Sequence, residues 1–160
     1  MVGASLAASL RDTGFSIALI DAQSAESLSV SKPVASTVDE YEARVSALTY
    51  ASRDLLSDTG AWQLIAKEQV LPYRKMHVWD HLGTAEINFD AAELYQDTLG
   101  YIVENQNIVA ALHQSLQSQE NIDFFLECPI TGLSKAAGDD STHVLSLADG
   151  RQISSKLLVA

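Results

Sequence analysis

The chain has 160 residues, 47% of them hydrophobic, with 10 Lys and Arg against 21 Asp and Glu and a formal net charge of −11. That length supports one core or a large piece of one, and the acidity, without any run of Lys or Arg, excludes nucleic acid as a partner. A single cysteine, Cys128, rules out an intramolecular disulfide, a CxxC redox pair and a cysteine-rich zinc site, which favours a reducing, cytoplasmic setting.

Taken in chain order, Val2, Leu6 and Leu10 recur at four-residue spacing and Gly14 follows, so residues 1–13 read as a helix. Phe15 to Ile20 is a short run of strand formers that closes on Asp21, ahead of a Ser-rich polar stretch from Ala22 to about Ala43. Tyr50 to Leu56 reads as a helix stopped near Gly60. Tyr73 to Asp80 and Thr84 to Asp90 read as two strands of a hairpin turning at His81, Leu82 and Gly83. Asn105 to Leu116 carries Ile108, Val109, Leu112 and Leu116 at helical spacing. Strand-like runs follow at Phe124 to Leu126, Ile130 to Leu133, His143 to Leu147 and Ile153 to Val159, with Asp149-Gly150 as a hairpin turn. The order is mixed α and β without internal repeats. No apolar run approaches the roughly 18 to 20 residues of a membrane span, and the start lacks the layout of a signal peptide, so any membrane contact is expected to be peripheral.

In a dinucleotide-binding unit a glycine-rich turn precedes the first helix, and an acidic residue about 20 positions on accepts hydrogen bonds from ribose hydroxyls. Gly3 and Asp21 stand in that relation. A glycine in a first helical turn and an aspartate after an apolar strand are also commonplace, so the pair alone leaves a nucleotide site and a plain turn both open.

Later segments add specificity. Met1 to Ala7 (MVGASLA) resembles the end of a GGGMVG-type fingerprint, and Arg44 to Leu48 (RVSAL) resembles a segment of the ubiquinone-biosynthesis hydroxylases. Gly60-Ala61-Trp62, Pro72 to Asp80 (PYRKMHVWD), Phe89 to Leu94 (FDAAEL) and Leu99 to Asn105 (LGYIVEN) follow in the order of that family. The resemblance runs nearly the whole length. It ends at Ala160, where a GADG segment would continue in the family, and it begins after the family's first strand and first two fingerprint glycines, so the sequence is expected to be an amino-terminal piece of a longer protein cut at both ends.

This resemblance implies an α/β fold: an incomplete Rossmann-like FAD-binding domain over 1–160 with mixed sheet and β-hairpins, of the para-hydroxybenzoate hydroxylase type, in which 70–103 contribute to the substrate-side sheet. It implies a flavin-dependent monooxygenase in which NAD(P)H reduces FAD and O2 supplies the oxygen atom for a prenylated phenol or benzoquinol ring. The cofactor carries that chemistry, and the protein orients and shields it. The implied setting is cytoplasmic, peripheral to the inner membrane, where other ubiquinone-biosynthesis proteins are candidate partners. The isolated piece is expected to be inactive.

By the same resemblance Gly3 corresponds to the last fingerprint glycine, and Asp21 to the acidic ribose ligand, where Glu is commoner; the competing role for Asp21 is turn formation. Arg44 corresponds to an arginine that approaches FAD, suited to pyrophosphate or flavin oxygens, and competes with pairing to Glu40 or Glu42. Asn105 aligns with a polar cofactor contact and competes with a plain N-cap. No catalytic side chain and no metal ligand is expected: His77 and His81 lie in a hairpin without a ligand cluster. Trp79, Phe89 and Tyr101 fit core or cross-strand packing better than a path for a prenyl tail, and Cys128 beside Pro129 fits a small buried hydrophobe. Two other readings stand: a non-catalytic binding or assembly module on the same fold, and a flavin hydroxylase of another aromatic compound.

Overall fold

The computed structural model describes residues 1–29, 37–81 and 83–159. Part of the Ser-rich stretch and Leu82 of the hairpin turn therefore lie outside the described residues.

Helix α1 (Val2–Ser9) buries Ala4, Ala7 and Ala8, a stripe at i, i+3, i+4 spacing small enough to let helices approach closely. It is shorter than the expected 1–13. Leu10 is the C-cap, Thr13 Oγ1 donates to Leu10 O at 2.6 Å, and Arg11 leaves the helical path to donate to the carbonyls of Thr59 and Asp58 at 2.5 and 3.0 Å. Thr13 thus satisfies a carbonyl that another turn of α1 would have used, and Arg11 satisfies carbonyls at the end of the helix over 50–58.

Strand β1 (Ile17–Ile20) answers the run after Gly14, and the polar stretch that follows contains a short helix, α2 (Ala25–Ser29). Strand β2 (Val45–Leu48) leads into α3 (Tyr50–Asp58), which Thr49 caps by accepting from Ser52 N at 3.3 Å. Then come β3 (Leu71–Tyr73), β4 (Lys75–Trp79), β5 (Glu86–Asp90), β6 (Gly100–Glu104) and α4 (Asn105–Leu116). The chain closes with β7 (Ile122–Phe125), β8 (Ile130–Ala136), β9 (Asp139–Leu147) and β10 (Gln152–Ser155).

These strands form four small sheets. β1 and β7 pair in parallel, Ile17 opposite Ile122 through Ile20 opposite Phe125. β6 is the centre of an antiparallel trio with β2 and β3 on its two edges, β4 and β5 form a two-stranded ribbon, and β8, β9 and β10 form a meander. Gly150, at φ 86°, supplies the left-handed residue of the β9–β10 turn. The expected single strand from Tyr73 to Asp80 is broken at Arg74: Tyr73 pairs with Gly100 in one sheet and Lys75 with Asp90 in another. Arg74 holds the corner, its O accepting from Ala91 N at 2.9 Å and its Nε donating to Asp97 O at 3.0 Å.

The core is organised by α4. Ile108, Leu112 and Leu116 are essentially inaccessible and pack with Val103 and Leu48 of the β2–β6–β3 sheet, Leu56 of α3, Ile122 of β7 and the alanines of α1. Full burial of such side chains stabilises by roughly 1.5–3 kcal/mol each. β6 approaches β2 so closely that only glycine fits at position 100, where a Cβ would run into the carbonyl oxygen of Leu48. Among the described residues no helix is long and apolar enough to cross a membrane.

Candidate cofactor site

Strand β6 runs straight into α4, so Glu104 is at once the last residue of the strand and the N-cap of the helix. The β2–β6 register sets Val45 opposite Glu104, which places the residues just beyond, Arg44 and Asn105, side by side. Asn105 N donates to Arg44 O at 3.0 Å, and Ser46 Oγ donates to Asn105 Oδ1 at 2.6 Å. With its oxygen engaged, the Asn105 amide keeps its NH2 as donor. The Arg44 side chain is exposed. A guanidinium beside an amide NH2 is a donor-rich pair suited to anionic or acceptor-rich groups such as a pyrophosphate, ribityl hydroxyls or flavin oxygens.

The competing reading of Asn105 is altered: Glu104 occupies the N-cap, and Asn105 is the first residue of α4. Glu42 directs its carboxylate at the helix: its Oε2 accepts from Gln106 N at 3.0 Å.

Gly3 and Asp21 belong to other elements, α1 and the end of β1. Gly3 lies in the exposed first turn of α1, and a Cβ built there would meet no heavy atom within 4 Å. The close helix-on-strand packing expected of a last fingerprint glycine is therefore not made within the described residues, and the space beside it is open. Asp21 sits just past β1, with its N donating to Phe125 O at 3.0 Å and its O accepting from Cys128 N at 3.1 Å. Its Oδ1 accepts from Gln23 N at 2.9 Å, an Asx-type turn. The turn role and a ligand role are compatible, since a carboxylate has about four acceptor positions.

What the two pairs share is α4. Its first residue is Asn105, and its buried His113 senses Asp21: burial pushes the imidazole below its ordinary pKa, and the Asp21 carboxylate opposes that. His113 also packs on Phe124 with ring centroids 5.8 Å apart.

The remaining candidates have structural partners. His77 pairs with Glu86 at 3.1 Å across the β4–β5 ribbon. Tyr101 packs edge-on to Trp62 at 5.3 Å, and Phe89 sits opposite Met76, so these two are core and cross-strand residues, whereas Trp79 is 66% exposed. Cys128 is buried but also polar in its contacts, receiving Arg151 Nη2 at 3.0 Å. A hollow of about 400 Å³ at the ribbon tip is lined by His77, Trp79, Asp80 and Glu86. A smaller, more enclosed apolar one of about 150 Å³, lined by Tyr41, Val45, Leu71, Ile102 and Glu104, adjoins the Arg44 segment. The smaller has the better claim to function because it lies next to the donor pair.

Sequence reasoning missed Ser46 and Glu104, and named Glu42 only as a rival partner for Arg44. Their signal was proximity to Arg44 and Asn105 in the same two segments, but nothing in either segment reports the pairing between them.

No family model matches the chain. Among solved structures it is similar to a probable FAD-dependent monooxygenase from Pseudomonas aeruginosa (14% identity, TM-score 0.60, 94% of this chain and 37% of that one). It is also similar to the Diels-Alderase PyrE3 of pyrroindomycin biosynthesis (13% identity, TM-score 0.64, 96% and 28%). The chain thus has the α/β fold of the para-hydroxybenzoate hydroxylase-like flavoprotein monooxygenases, a fold that is not itself an activity. Its sequence relatives narrow this. It is 32% identical over 160 residues to the 3-demethoxyubiquinol 3-hydroxylase of Escherichia coli, covering 99% of this chain and 38% of that protein. It is 36% identical over 171 residues to the mitochondrial ubiquinone biosynthesis monooxygenase of Danio rerio, covering 99% and 34%. The chain is homologous to the ubiquinone-biosynthesis hydroxylases and spans little more than a third of their length, and the resemblance drawn from its motifs is borne out.

Proposed function

We propose that this chain forms part of an FAD-dependent monooxygenase that hydroxylates a prenylated phenol or benzoquinol ring in ubiquinone biosynthesis, using NAD(P)H and O2. The observation that carries the cofactor assignment is the backbone hydrogen bond from Asn105 N to Arg44 O, which sets two residues with donor side chains side by side at one end of an antiparallel strand pair. FAD, when bound, supplies the redox and oxygen-transfer chemistry. Arg44 and Asn105 would hold its phosphate, ribityl or ring oxygens, Asp21 its adenosine ribose, and the open space beside Gly3 would admit its diphosphate. The residues present fit the group: the donors are presented, the Asp21 carboxylate has acceptor capacity left, and a side chain is missing where a diphosphate would approach. In this reading 1–160 is part of an FAD-binding domain, with 70–103 contributing to its substrate-side sheet. The protein is cytoplasmic and meets the membrane only peripherally, to reach a prenylated substrate and neighbouring enzymes of the pathway.

The test is to express the longest reading frame containing the chain and record its spectrum, then follow NAD(P)H oxidation and product with a prenylated phenol. Flavin bands with hydroxylated product support the reading. A folded, colourless protein that takes up no added FAD refutes it and leaves a binding module on the same fold. The 160-residue chain alone is expected to give no hydroxylated product.

A further inference from the structure

The amino terminus of a helix offers unsatisfied N–H groups and a positive dipole end, a ready place for an anion. In α4 that end is already in use. Asn105 N is taken by Arg44 O and Gln106 N by the Glu42 carboxylate. The bracket is reciprocal: the Glu104 carboxylate accepts from the backbone N of Glu42, and its second oxygen accepts from Asn107 Nδ2 at 3.0 Å. Glu104 is 7% exposed and Asn107 2%. The Glu42 carboxylate thus lies where a phosphate would otherwise sit, and Glu42 and Glu104 each grip the segment that carries the other.

We propose that Glu104, together with Glu42, is a positioning residue for the cofactor site: the pair locks the 42–44 segment onto α4 so that Arg44 and Asn105 act as one donor unit. This rests on the proposed FAD role of Arg44 and Asn105. A buried carboxylate is costly unless hydrogen-bonded, and Glu104 spends both oxygens on this one junction, one on the backbone of the Arg44 segment and one on α4. Neither bond adds to the apolar core. The β2–β6 ladder starts at Val45, so without the bracket residues 42–44 would lose two of the hydrogen bonds that join them to β6 and α4. The proposal also fixes how ligand is met: by side chains of Arg44 and Asn105, not by the α4 N–H groups.

The experiment uses the full protein and the variants Glu42→Ala, Glu104→Ala and Glu104→Gln, with two readouts: amide hydrogen exchange without flavin, and the Kd for FAD by fluorescence quenching. Loss of a hydrogen bond to a charged group corresponds to about a ten- to hundredfold change in an equilibrium. Glu42→Ala and Glu104→Ala are expected to speed exchange at the amides of residues 42 and 105 while Val103 and Leu112 stay protected, and to raise the Kd for FAD about tenfold or more. Glu104→Gln keeps one acceptor and should recover part of both. If Glu104→Ala does not fold, Glu42→Ala, whose side chain is only part-buried, decides alone. Unchanged exchange at residue 105, or an unchanged Kd beside altered exchange, overturns the proposal. Should the wild-type protein take no FAD, the proposed function fails, and the positioning role toward that cofactor fails with it; failure confined to the variants' response refutes the positioning role only.

Discussion

Replacing Gly100 with alanine puts a methyl group into the carbonyl of Leu48 and at 2.9 Å from the hydroxyl of Tyr73. The tyrosine can swing aside. The carbonyl cannot, because Leu48 is fixed opposite Tyr101 in the β2–β6 ladder. Overpacking typically costs about 1–3 kcal/mol, and an obstacle made of backbone belongs at the upper end. Loss of glycine's freedom in the unfolded chain returns about 0.4–1 kcal/mol, leaving a net loss of about 2 kcal/mol. With a urea dependence of roughly 2 kcal/mol per molar, the unfolding midpoint should fall by about 1 M. Equilibrium urea unfolding of the full protein, followed by Trp fluorescence and far-UV circular dichroism, measures it. An unchanged midpoint for Gly100→Ala would refute the close approach of β6 to β2, and with it the register that sets Arg44 beside Asn105.

Two predictions concern pH. Asp149 is exposed, and its carboxyl is held down to about 2, first by the Arg151 side chain, whose Nε lies 2.6 Å away, and then by the Arg151 backbone N–H. A carboxyl with a depressed folded pKa stabilises above its unfolded value and loses that contribution as pH falls through the folded one, so the effect should fade between about pH 4 and about pH 2. Arg151→Met should move the Asp149 carbon resonance titration up toward the ordinary carboxylate range, and an unmoved titration would sink the assignment. His113 has a consequence of the same sign nearer neutrality. Burial lowers its pKa, so below about pH 6.5 the unfolded chain binds a proton that the folded chain resists, and stability should decline as pH falls from there. Urea unfolding of His113→Leu at pH 7.5 and 5.5 should show a smaller pH difference than wild type; an equal difference would refute this.

Helix α4 was legible to the residue because Ile108, Leu112 and Leu116 repeat on one face over three turns, and the β9–β10 turn because Asp149-Gly150 is strong local chemistry. The trio of β2, β6 and β3 was not. Its strands are three to five residues long, and Val45 and Leu71 on them remain about half exposed, so no alternation of buried and exposed residues accumulates. The break at Arg74 was hidden for a related reason: Tyr73 and Lys75 look like one strand until the partners, distant in sequence, are known. At the site, resemblance nominated Arg44 and Asn105 singly. Their adjacency, and the reciprocal use of Glu42 and Glu104, depends on a register between segments some 60 residues apart that no local pattern encodes.

The β4–β5 ribbon has one face of Lys75, Asp90, His77, Glu86 and Trp79 and another of Met76, Phe89, Val78 and Ile87, all four of the latter exposed. Solubility of the chain by itself is therefore a contest between an apolar patch that attracts like patches and a net charge of −11 that keeps molecules apart. Salt weakens only the second, since at about 0.1 M the repulsion is screened beyond about 10 Å. The purified chain should be handled dilute and at low ionic strength, and its aggregation should rise with added salt.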